Sequence, residues 1–208
     1  MDVHVAIQAR RAVKAFDPTH RMTDAEVERL LGLTRLAPTA FNIQNWRFLI
    51  VEDPQVRSAI REAAWNQPQM TDASLLVVVC ADLQAWDRQP ERYWSHASER
   101  LQSAMVSTLR RVYGEDGVMR RDEAMRSGGM AAMTLMLAAK EMGYDSCPMT
   151  GFDFGAVAGI INLPDDHAIC MIVTIGKAAG EPGPRGGTIP NREVLFYDRF
   201  GDPGNDRS

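Results

Sequence analysis

The chain has 208 residues, of which 45% are apolar and 24% charged, and its net charge is −4. This length suits one domain with a full hydrophobic core, and the composition is typical of a globular protein. Basic residues are interspersed with carboxylates, which argues against a nucleic-acid surface. There is no apolar run of membrane-spanning length and no secretory signal order at the start. We therefore expect no membrane contact and a cytoplasmic location.

The N-terminal part of the chain gives clear helix signals. Apolar spacing predicts a short amphipathic helix over residues 3–10, followed by an extended segment over residues 12–16. Thr23 and Glu26 have the spacing of a capping box, and they begin a helix that Pro38 ends. The first group of basic side chains therefore lies at a helix end.

Three apolar runs predict strands, at residues 46–52, 74–81 and 167–176. The second run is continuously apolar, as expected for a strand in the centre of a sheet. Asp53, followed by proline, has the pattern of an N-cap and predicts a helix between the first two strands. Strands and helices thus alternate along the chain.

The second half of the chain contains a polar middle, an apolar helix and a loop-rich tail. Residues 86–123 are polar and aromatic and predict one or two helices. Residues 128–139 are apolar nearly all round, which predicts a helix buried on every side that ends at Gly143. The tail from residue 177 is rich in glycine and proline, so it must pack on another surface to stay ordered.

Metal and disulfide chemistry has little support in the sequence. Cys80, Cys147 and Cys170 form no CxxC pair, and two of them fall in apolar runs typical of buried thiols. The four histidines are dispersed along the chain, although distance in sequence does not exclude convergence in space. We expect no disulfide and no metal.

Phosphate-loop, nucleophile-elbow and zinc-protease signatures are absent, and separated polar clusters remain. The first comprises Arg10, Arg11 and Lys14. These cations either complement the helix dipole at a solvated helix end or offer forked donors to a phosphate. Neither interpretation is excluded by the residues alone.

The second cluster spans residues 38–46. It is either a turn that ends one helix and starts a strand, or a wall for a flat ring. In the second case the small Thr39 and Ala40 let the ring approach the backbone, and Asn42 and Gln44 supply paired donors and acceptors. The two interpretations are equally supported.

The remaining clusters are residues 65–69, residues 147–153 and Arg185. The first contains two amides beyond Asn66 and is also consistent with an ordinary polar loop. In the second, Asp153 serves equally as an N-cap and Gly151 as a turn residue. Arg185 stands among glycines and prolines, where a solvated charge is common. Each cluster has a structural explanation when it is considered alone.

Taken in order, five segments resemble the FMN-dependent nitroreductase family over about residues 4–195: RRAVKAF, LAPTAFNIQNWRFLIV, AAWNQPQM, AAKEMGYDSCPMTGFD and IVTIGKAAGEPGPR. The sequence is most similar to the small bacterial NAD(P)H oxidoreductases of that family. The resemblance implies an α+β fold in which helices flank a mixed central sheet, and an intertwined homodimer with FMN at its interface. Residues 1–208 would form one domain, with a variable substrate cap at about 85–120 and a dimer-embracing tail at about 177–208.

The resemblance also implies the cofactor-binding residues, which are Arg10, Arg11, Lys14, Pro38, Thr39, Ala40, Asn42, Gln44, Asn66, Gln69, Thr150, Gly151 and Arg185. The arginines would face the phosphate and ribityl group of FMN, with Arg192 as a second candidate in the tail. The 38–42 turn would come from the other subunit. Lys14 would lie at the N1/O2 edge of the ring, and Thr150 and Gly151 would present backbone N–H near N5, so these three are the implied catalytic residues. Relatives often carry serine at the position of Thr39.

The activity implied is ping-pong hydride transfer from NADPH or NADH through FMN to a nitroaromatic, quinone or related small-molecule acceptor. Flavin reduction, dehalogenation and enal reduction on the same fold are alternatives, as is an FMN-binding protein without turnover. The last would need an aromatic plug over the flavin, from Trp86, Tyr93 or Trp94. Four cations of the middle region are candidates for recognising a 2′-phosphate: Arg88, Arg92, Arg100 and Arg110.

Overall fold

The computed structural model describes residues 1–115 and 117–200, in which seven α-helices surround a four-stranded sheet. The helices are α1 (Val3–Ala9), α2 (Asp24–Thr34), α3 (Pro54–Ala63), α4 (Gln69–Asp72), α5 (Glu99–Tyr113), α6 (Gly117–Glu141) and α7 (Phe154–Ile160). The strands are β1 (Trp46–Ile50), β2 (Leu75–Asp82), β3 (Asp145–Met149) and β4 (His167–Gly176). The predicted α+β class is confirmed. None of the described helices combines the length and the apolar character needed to cross a bilayer.

The strand order is β1-β2-β4-β3, and each neighbouring pair is antiparallel. A parallel bridge between Ala12 and Ser146 places the N-terminal segment beside β3. β3 therefore has an antiparallel neighbour on one side and a parallel bridge on the other. β1 and β3 are the outer strands of the four. Since adjacent strands lie about 4.8 Å apart, the residues that precede β1 and those that follow β3 are separated by roughly 14 Å across the sheet.

Two hydrophobic clusters cover the two faces of the sheet. Val77 and Val79 of β2 point into the cluster formed with α2 and α6, whereas Val78 points into the cluster formed with α3 and α7. This alternation follows from the two-residue period of a strand. It explains why β2, which is buried along its whole length, reads as a continuous apolar run.

Local signals predicted several element ends correctly. The Thr23 side chain accepts a hydrogen bond from the Glu26 backbone and completes the capping box of α2. Asp53 caps α3, and Gly143 has φ +79°, the left-handed conformation that ends α6. Helix α6 is longer than predicted, because it begins at Gly117 in the polar middle.

The prediction that residues 128–139 are buried on every side is wrong for the single chain. Met130 and Met133 of this segment are 39% and 43% exposed. The sequence is apolar all round, but α6 packs on the sheet with only part of its circumference. One apolar face of α6 is therefore open to solvent in the isolated chain.

A polar contact joins α2 to the residue that follows α6. The Tyr144 hydroxyl donates to Glu26 Oε1 at 2.7 Å, and the Thr23 backbone donates to Glu26 Oε2 at 2.9 Å. Hydrogen bonds, the one from Tyr144 first, lower the pKa of Glu26 from 4.5 to about 2. Burial, followed by the bond to Glu26, raises the pKa of Tyr144 to about 12. The contact thus requires an ionised Glu26 and a protonated Tyr144.

We predict that this contact contributes to acid stability. Because the folded-state pKa of Glu26 lies below its ordinary value of 4.5, its stabilising contribution is complete above that pH and is lost as the pH falls towards 2. Thermal unfolding is measured between pH 2 and pH 6. As the pH falls, the melting temperature should decrease less steeply for Glu26→Gln than for the wild type. Glu28→Gln, on the same helix, is the control and should keep the wild-type slope. Equal slopes for all three proteins would contradict the prediction.

Candidate functional site

Three arginines meet at the C-terminal end of α1. We call the group of Arg10, Arg11 and Arg185 the arginine corner. Arg10, Arg11 and Arg185 line one open cavity of about 320 Å³, together with other residues of the 182–186 loop. Arg10 Nε is buried and has no hydrogen-bond partner. Within residues 1–115 and 117–200, none of the three guanidinium groups pairs with a carboxylate. The cavity therefore carries uncompensated positive charge of the kind that binds a phosphate.

Arg185 is held in place by the end of α1. Its terminal nitrogen donates to three backbone carbonyls of residues 7–10, at 2.7, 3.1 and 3.0 Å. The last carbonyls of a helix lack intrahelical partners and attract cations, so Arg185 acts as a side-chain cap for α1. Arg192 instead lies 3.8 Å from Glu193 and does not line the cavity. Of the two arginines predicted as candidates, Arg185 is the one that the structure brings to the arginine corner.

Lys14 lies in the extended segment beside β3. The Val13 backbone donates to the Ser146 carbonyl at 3.0 Å, which fixes the segment against that strand. Burial raises the pKa of the Cys147 thiol, and the positive charges of Lys14 and Arg10 act in the opposite direction. Both cations thus lie close to the same stretch of β3, and the Lys14 side chain is exposed and available for a ligand.

Two further predicted clusters meet at the end of β3. The Gln67 side chain donates to the Gly151 carbonyl at 3.0 Å. Gln69 donates to Gln67 Oε1 at 3.1 Å and also contacts the sulfur of Met149 at 3.4 Å. The structure buries Gln69 almost completely, so its amide supports Gln67 in the interior instead of facing the surface. The loop of residues 65–69 therefore holds the Thr150–Gly151 turn in place.

The sequence interpretation included Trp65 in the 65–69 cluster but assigned it no role. Trp65 and Asn66 both have left-handed backbone conformations, with φ of 53° and 57°. The Trp65 ring is 70% exposed and lies over Gly151, where an added Cβ would be 3.0 Å from the ring. A side chain at position 151 would press against the indole, which would have to shift by a few tenths of an ångström. A tryptophan inside an otherwise polar loop was the available sequence signal.

The turn before β1 is strained. Phe41, Asn42 and Gln44 have φ of 51°, 54° and 45°, although none is a glycine. The Thr39 hydroxyl accepts a hydrogen bond from the Gln44 backbone at 3.0 Å and stabilises this shape. Such strain is unfavourable by about 1–3 kcal/mol per residue and is concentrated at functional sites. The conformation exposes Pro38 and leaves Thr39 and Ala40 partly accessible at the protein surface.

Glu123 of α6 supports this turn from below. Its Oε1 accepts hydrogen bonds from the Ala40 backbone at 3.4 Å and from the Ser127 hydroxyl at 3.0 Å. Arg126 lies 3.5 Å from the other carboxylate oxygen, and the Glu123 side chain is buried. Glu123 lies in the polar middle of the sequence, where an acidic residue is expected to be solvated. Its hydrogen bond with the Ala40 backbone could therefore not be predicted.

The predicted site residues form two groups. The first group comprises residues 10–14, 65–69, 150–151 and 185, all beside β3. The second is the 38–44 turn, which precedes β1 at the opposite edge of the sheet. Among the described residues, no hydrogen bond or ion pair joins the two groups. One chain therefore presents two separate halves of the predicted site.

A cluster of Asp82, Asp166 and His167 has the composition of a metal site. However, Asp82 lies 2.9 Å from both Arg47 and Arg88, and Arg88 also pairs with Asp166. A hydrogen bond from His167, the largest influence, lowers the pKa of Asp166. The carboxylate oxygens are thus used by cations of the protein, and the cluster is a salt-bridge network.

The helix-flanked sheet and the arginine corner define an α+β protein with a candidate anion site. The chain matches the profile of the nitroreductase family over residues 7–177 and belongs to that family. The predicted family and the predicted oxidoreductase class are therefore confirmed.

Individual relatives support this membership over nearly the whole chain. Protein DrgA of a Synechocystis species is 52% identical over 94% of this chain and 93% of its own length. The crystal structure of ydfN from Bacillus subtilis is 31% identical, has a TM-score of 0.88, and is matched over 93% of this chain and 97% of that one. A structure from Exiguobacterium sibiricum, solved in complex with FMN, has a TM-score of 0.84 at 24% identity, with 95% and 97% of the chains covered. The last comparison shows the shared fold alone.

We predict that Glu123 stabilises the fold through the 38–44 turn. Glu123→Ala removes the acceptor of two hydrogen bonds and should lower the free energy of unfolding by about 1–3 kcal/mol. Glu123→Gln keeps a carbonyl oxygen and should lose less. Urea denaturation measures both changes, with the exposed neighbour Asp122→Ala as the control. Equal stability of Glu123→Ala and the wild type would show that the contact with Ala40 is not needed.

Proposed function

We propose that this protein is an FMN-dependent NAD(P)H oxidoreductase that reduces a nitroaromatic, quinone or related electrophilic acceptor. The observation that carries the proposal is the convergence of Arg10, Arg11 and Arg185 on one cavity, without carboxylate partners. Membership of the nitroreductase family and the FMN bound to the Exiguobacterium relative support it. The bound FMN would supply the hydride chemistry, and the chain would supply binding, orientation and charge.

The residues present fit a flavin mononucleotide in two respects. The buried, unpartnered Arg10 Nε lies in a corner that needs an anionic acceptor, and a monophosphate provides one. Gly151 has no side chain, is partly exposed, and its carbonyl accepts a hydrogen bond from Gln67, so its backbone is held in a fixed position. In the proposed site Arg10, Arg11 and Arg185 hold the phosphate, and Asn66 contributes its exposed amide.

The proposed catalytic residues act through charge and position. Lys14 is a cation beside β3 and favours negative charge in its neighbourhood, which is electrostatic stabilisation. Thr150 and Gly151 contribute backbone N–H groups and contain no side chain that titrates near neutral pH. A proton needed by the acceptor would therefore come from water.

We propose that two chains form a homodimer in which each site combines residues of both. The two halves of the site lie at opposite edges of the sheet in one chain, so a partner can complete each half. Apolar surface is available, since Met130 and Met133 of α6 are exposed. So are six large apolar residues of the tail: Ile189, Val194, Leu195, Phe196, Tyr197 and Phe200. Sedimentation velocity tests the proposal, and a monomer that retains flavin would contradict it.

A flavin-binding protein without turnover is less well supported. Such a protein would need a plug over the flavin, and the aromatic candidates were Trp86, Tyr93 and Trp94. All three are buried in one cluster with Ile43 and with residues of α5, so they form the interior of the 85–120 region. Bleaching of the yellow colour by NADPH or NADH without oxygen distinguishes the two functions. A screen of acceptors distinguishes nitroreduction from flavin, enal or dehalogenation chemistry.

We propose a cytoplasmic location. Cys80, Cys147 and Cys170 are free and buried. Burial, the largest influence in each case, raises the thiol pKa to about 12 for Cys80 and to about 11 for Cys170. Unpaired thiols are typical of a reducing compartment. Fractionation of the cells tests this proposal.

The purified protein should be yellow and should release FMN, not FAD, on denaturation. The arginine corner is a compact monophosphate site, and the sequence contains no dinucleotide loop. Arg10→Gln should weaken FMN binding by about ten- to hundredfold, the effect of one charge-assisted hydrogen bond. Flavin fluorescence titration of the apo-protein measures the affinity, with Arg192→Gln as the control. A colourless protein that ignores added FMN would refute the proposed function.

Lys14 should set the redox potential of the flavin more than its affinity. A cation near the ring stabilises the negatively charged reduced form, so Lys14→Met should lower the midpoint potential by about 20–60 mV, equivalent to roughly 1–3 kcal/mol. Potentiometric titration compares the variant with the wild type. Lys177→Met is the control, because Lys177 lies over the Tyr144 ring. An unchanged potential at full flavin occupancy would show that Lys14 is an ordinary solvated cation.

A further inference from the structure

The strained 38–44 turn is anchored at its exit by Arg47 of β1. One terminal nitrogen of Arg47 donates to the Gln44 carbonyl at 2.9 Å and to the Trp46 carbonyl at 3.0 Å. The other terminal nitrogen donates to Asp82 Oδ2 at 2.9 Å. Gln44 is the last residue of the turn, and its φ of 45° is unfavourable. Such a conformation is kept only where surrounding contacts fix it, and Arg47 supplies one.

Asp82, at the end of β2, gives the Arg47 side chain a fixed direction. Its own side chain is 2% exposed and is held by Arg88 at 2.9 Å as well as by Arg47. The Asp82 backbone N–H donates to the Asn45 carbonyl at 2.8 Å. The carbonyls of Gln44 and Asn45, at the exit from the turn, are therefore both tied to Asp82, the second directly and the first through Arg47.

A guanidinium suits this contact better than any other cationic side chain. Its two terminal nitrogens are held in one plane, so the carbonyl of the turn and the carboxylate of the sheet are joined at a fixed angle. A lysine at position 47 would have one nitrogen on a flexible stem. Glu123 supports the turn nearer its start, at Ala40, with a longer hydrogen bond of 3.4 Å. Arg47 and Glu123 thus hold the turn at two points, from β1 and from α6.

We propose that Arg47 is a positioning residue for the flavin site and that it acts on the site of the other subunit. The inference rests on the proposed function, in which the 38–44 turn of one chain completes the FMN site of its partner. Arg47 fixes the shape in which Pro38, Thr39 and Ala40 are presented, and it acts through them. Because a binding wall that is displaced by about 1 Å loses much of its effect, the consequence of losing Arg47 is a lower flavin affinity.

Flavin titration of three apo-protein variants tests the role of Arg47. Arg47→Gln should weaken FMN binding by about three- to thirtyfold, which is part of the effect of a lost charge-assisted hydrogen bond. Arg47→Lys keeps the charge but not the planar fork, and should not restore the wild-type affinity. Arg88→Gln is the matched control, because it removes the other arginine from Asp82 without a contact to the turn. It should bind FMN as the wild type does.

The three variants separate positioning from charge and from stability. Wild-type affinity in Arg47→Gln would overturn the proposal. Full recovery in Arg47→Lys would also overturn it, since the charge alone would then be sufficient. Urea denaturation measures the stability of each variant. Equal losses of affinity in Arg47→Gln and Arg88→Gln would show that the network around Asp82 acts only by stabilising the fold.

A mixed dimer tests whether Arg47 acts across the interface. Chains with Arg47→Gln and with Arg10→Gln are co-expressed with different affinity tags, and the mixed dimer is purified through both tags. If each turn serves the arginine corner of the other chain, both changes fall in one site and the second site is wild type. Half of the sites should then bind FMN with wild-type affinity. If no site has wild-type affinity, the turn serves its own chain and the proposal is wrong.

Failure of the proposed function has a different signature. A wild-type protein that binds no FMN would refute the proposed function and this inference with it. A flavin-loaded monomer in sedimentation would refute the action across the interface. A yellow, dimeric wild type whose affinity does not depend on Arg47 would refute the role of Arg47 alone.

Discussion

One backbone hydrogen bond, from Val13 to the Ser146 carbonyl at 3.0 Å, fixes the segment that carries Arg10 and Lys14 against the sheet. It pairs the segment after α1 with β3, so Arg10 and Lys14 are held on either side of that contact. The end of the same strand leads into Thr150 and Gly151. A short helix such as α1 has little stability alone, so its basic end would be mobile without this pairing. Charge and backbone donors are thereby placed along one edge of a rigid sheet.

Both loops that flank the proposed site use backbone conformations that are unfavourable for their residues. Phe41, Asn42 and Gln44 in one loop, and Trp65 and Asn66 in the other, have positive φ without being glycine. The strain is balanced by side-chain hydrogen bonds, some within each loop and one to a residue of α6. Glu123 and Thr39 support the first loop, and buried Gln69 supports the second through Gln67. The exposed groups of the site are therefore positioned by residues that face the interior.

The sequence predicted the features that depend on local chemistry. The capping box at Thr23, the central strand β2 and the glycine end of α6 all follow from neighbouring residues, and the order of motifs indicated the family. Strand β3 was missed because Asp145 and Pro148 interrupt any apolar pattern. The contact of Glu123 with Ala40 spans 83 positions, so no local signal exists for it. The division of the site between the sheet edges depends on strand order, which no single segment encodes.

The anchoring of Arg185 on α1 divides the tail into a fixed part and a projecting part. Beyond this residue the described chain continues to residue 200, and every one of these residues is exposed. An extended segment of this length spans roughly 50 Å, whereas a globular chain of about 200 residues has a radius of gyration of roughly 16 Å. Only when fully extended is this exposed part long enough to cross the width of a neighbouring molecule. A pulling force on this segment would be transmitted through Arg185 first to the backbone carbonyls of α1, and then to the arginine corner.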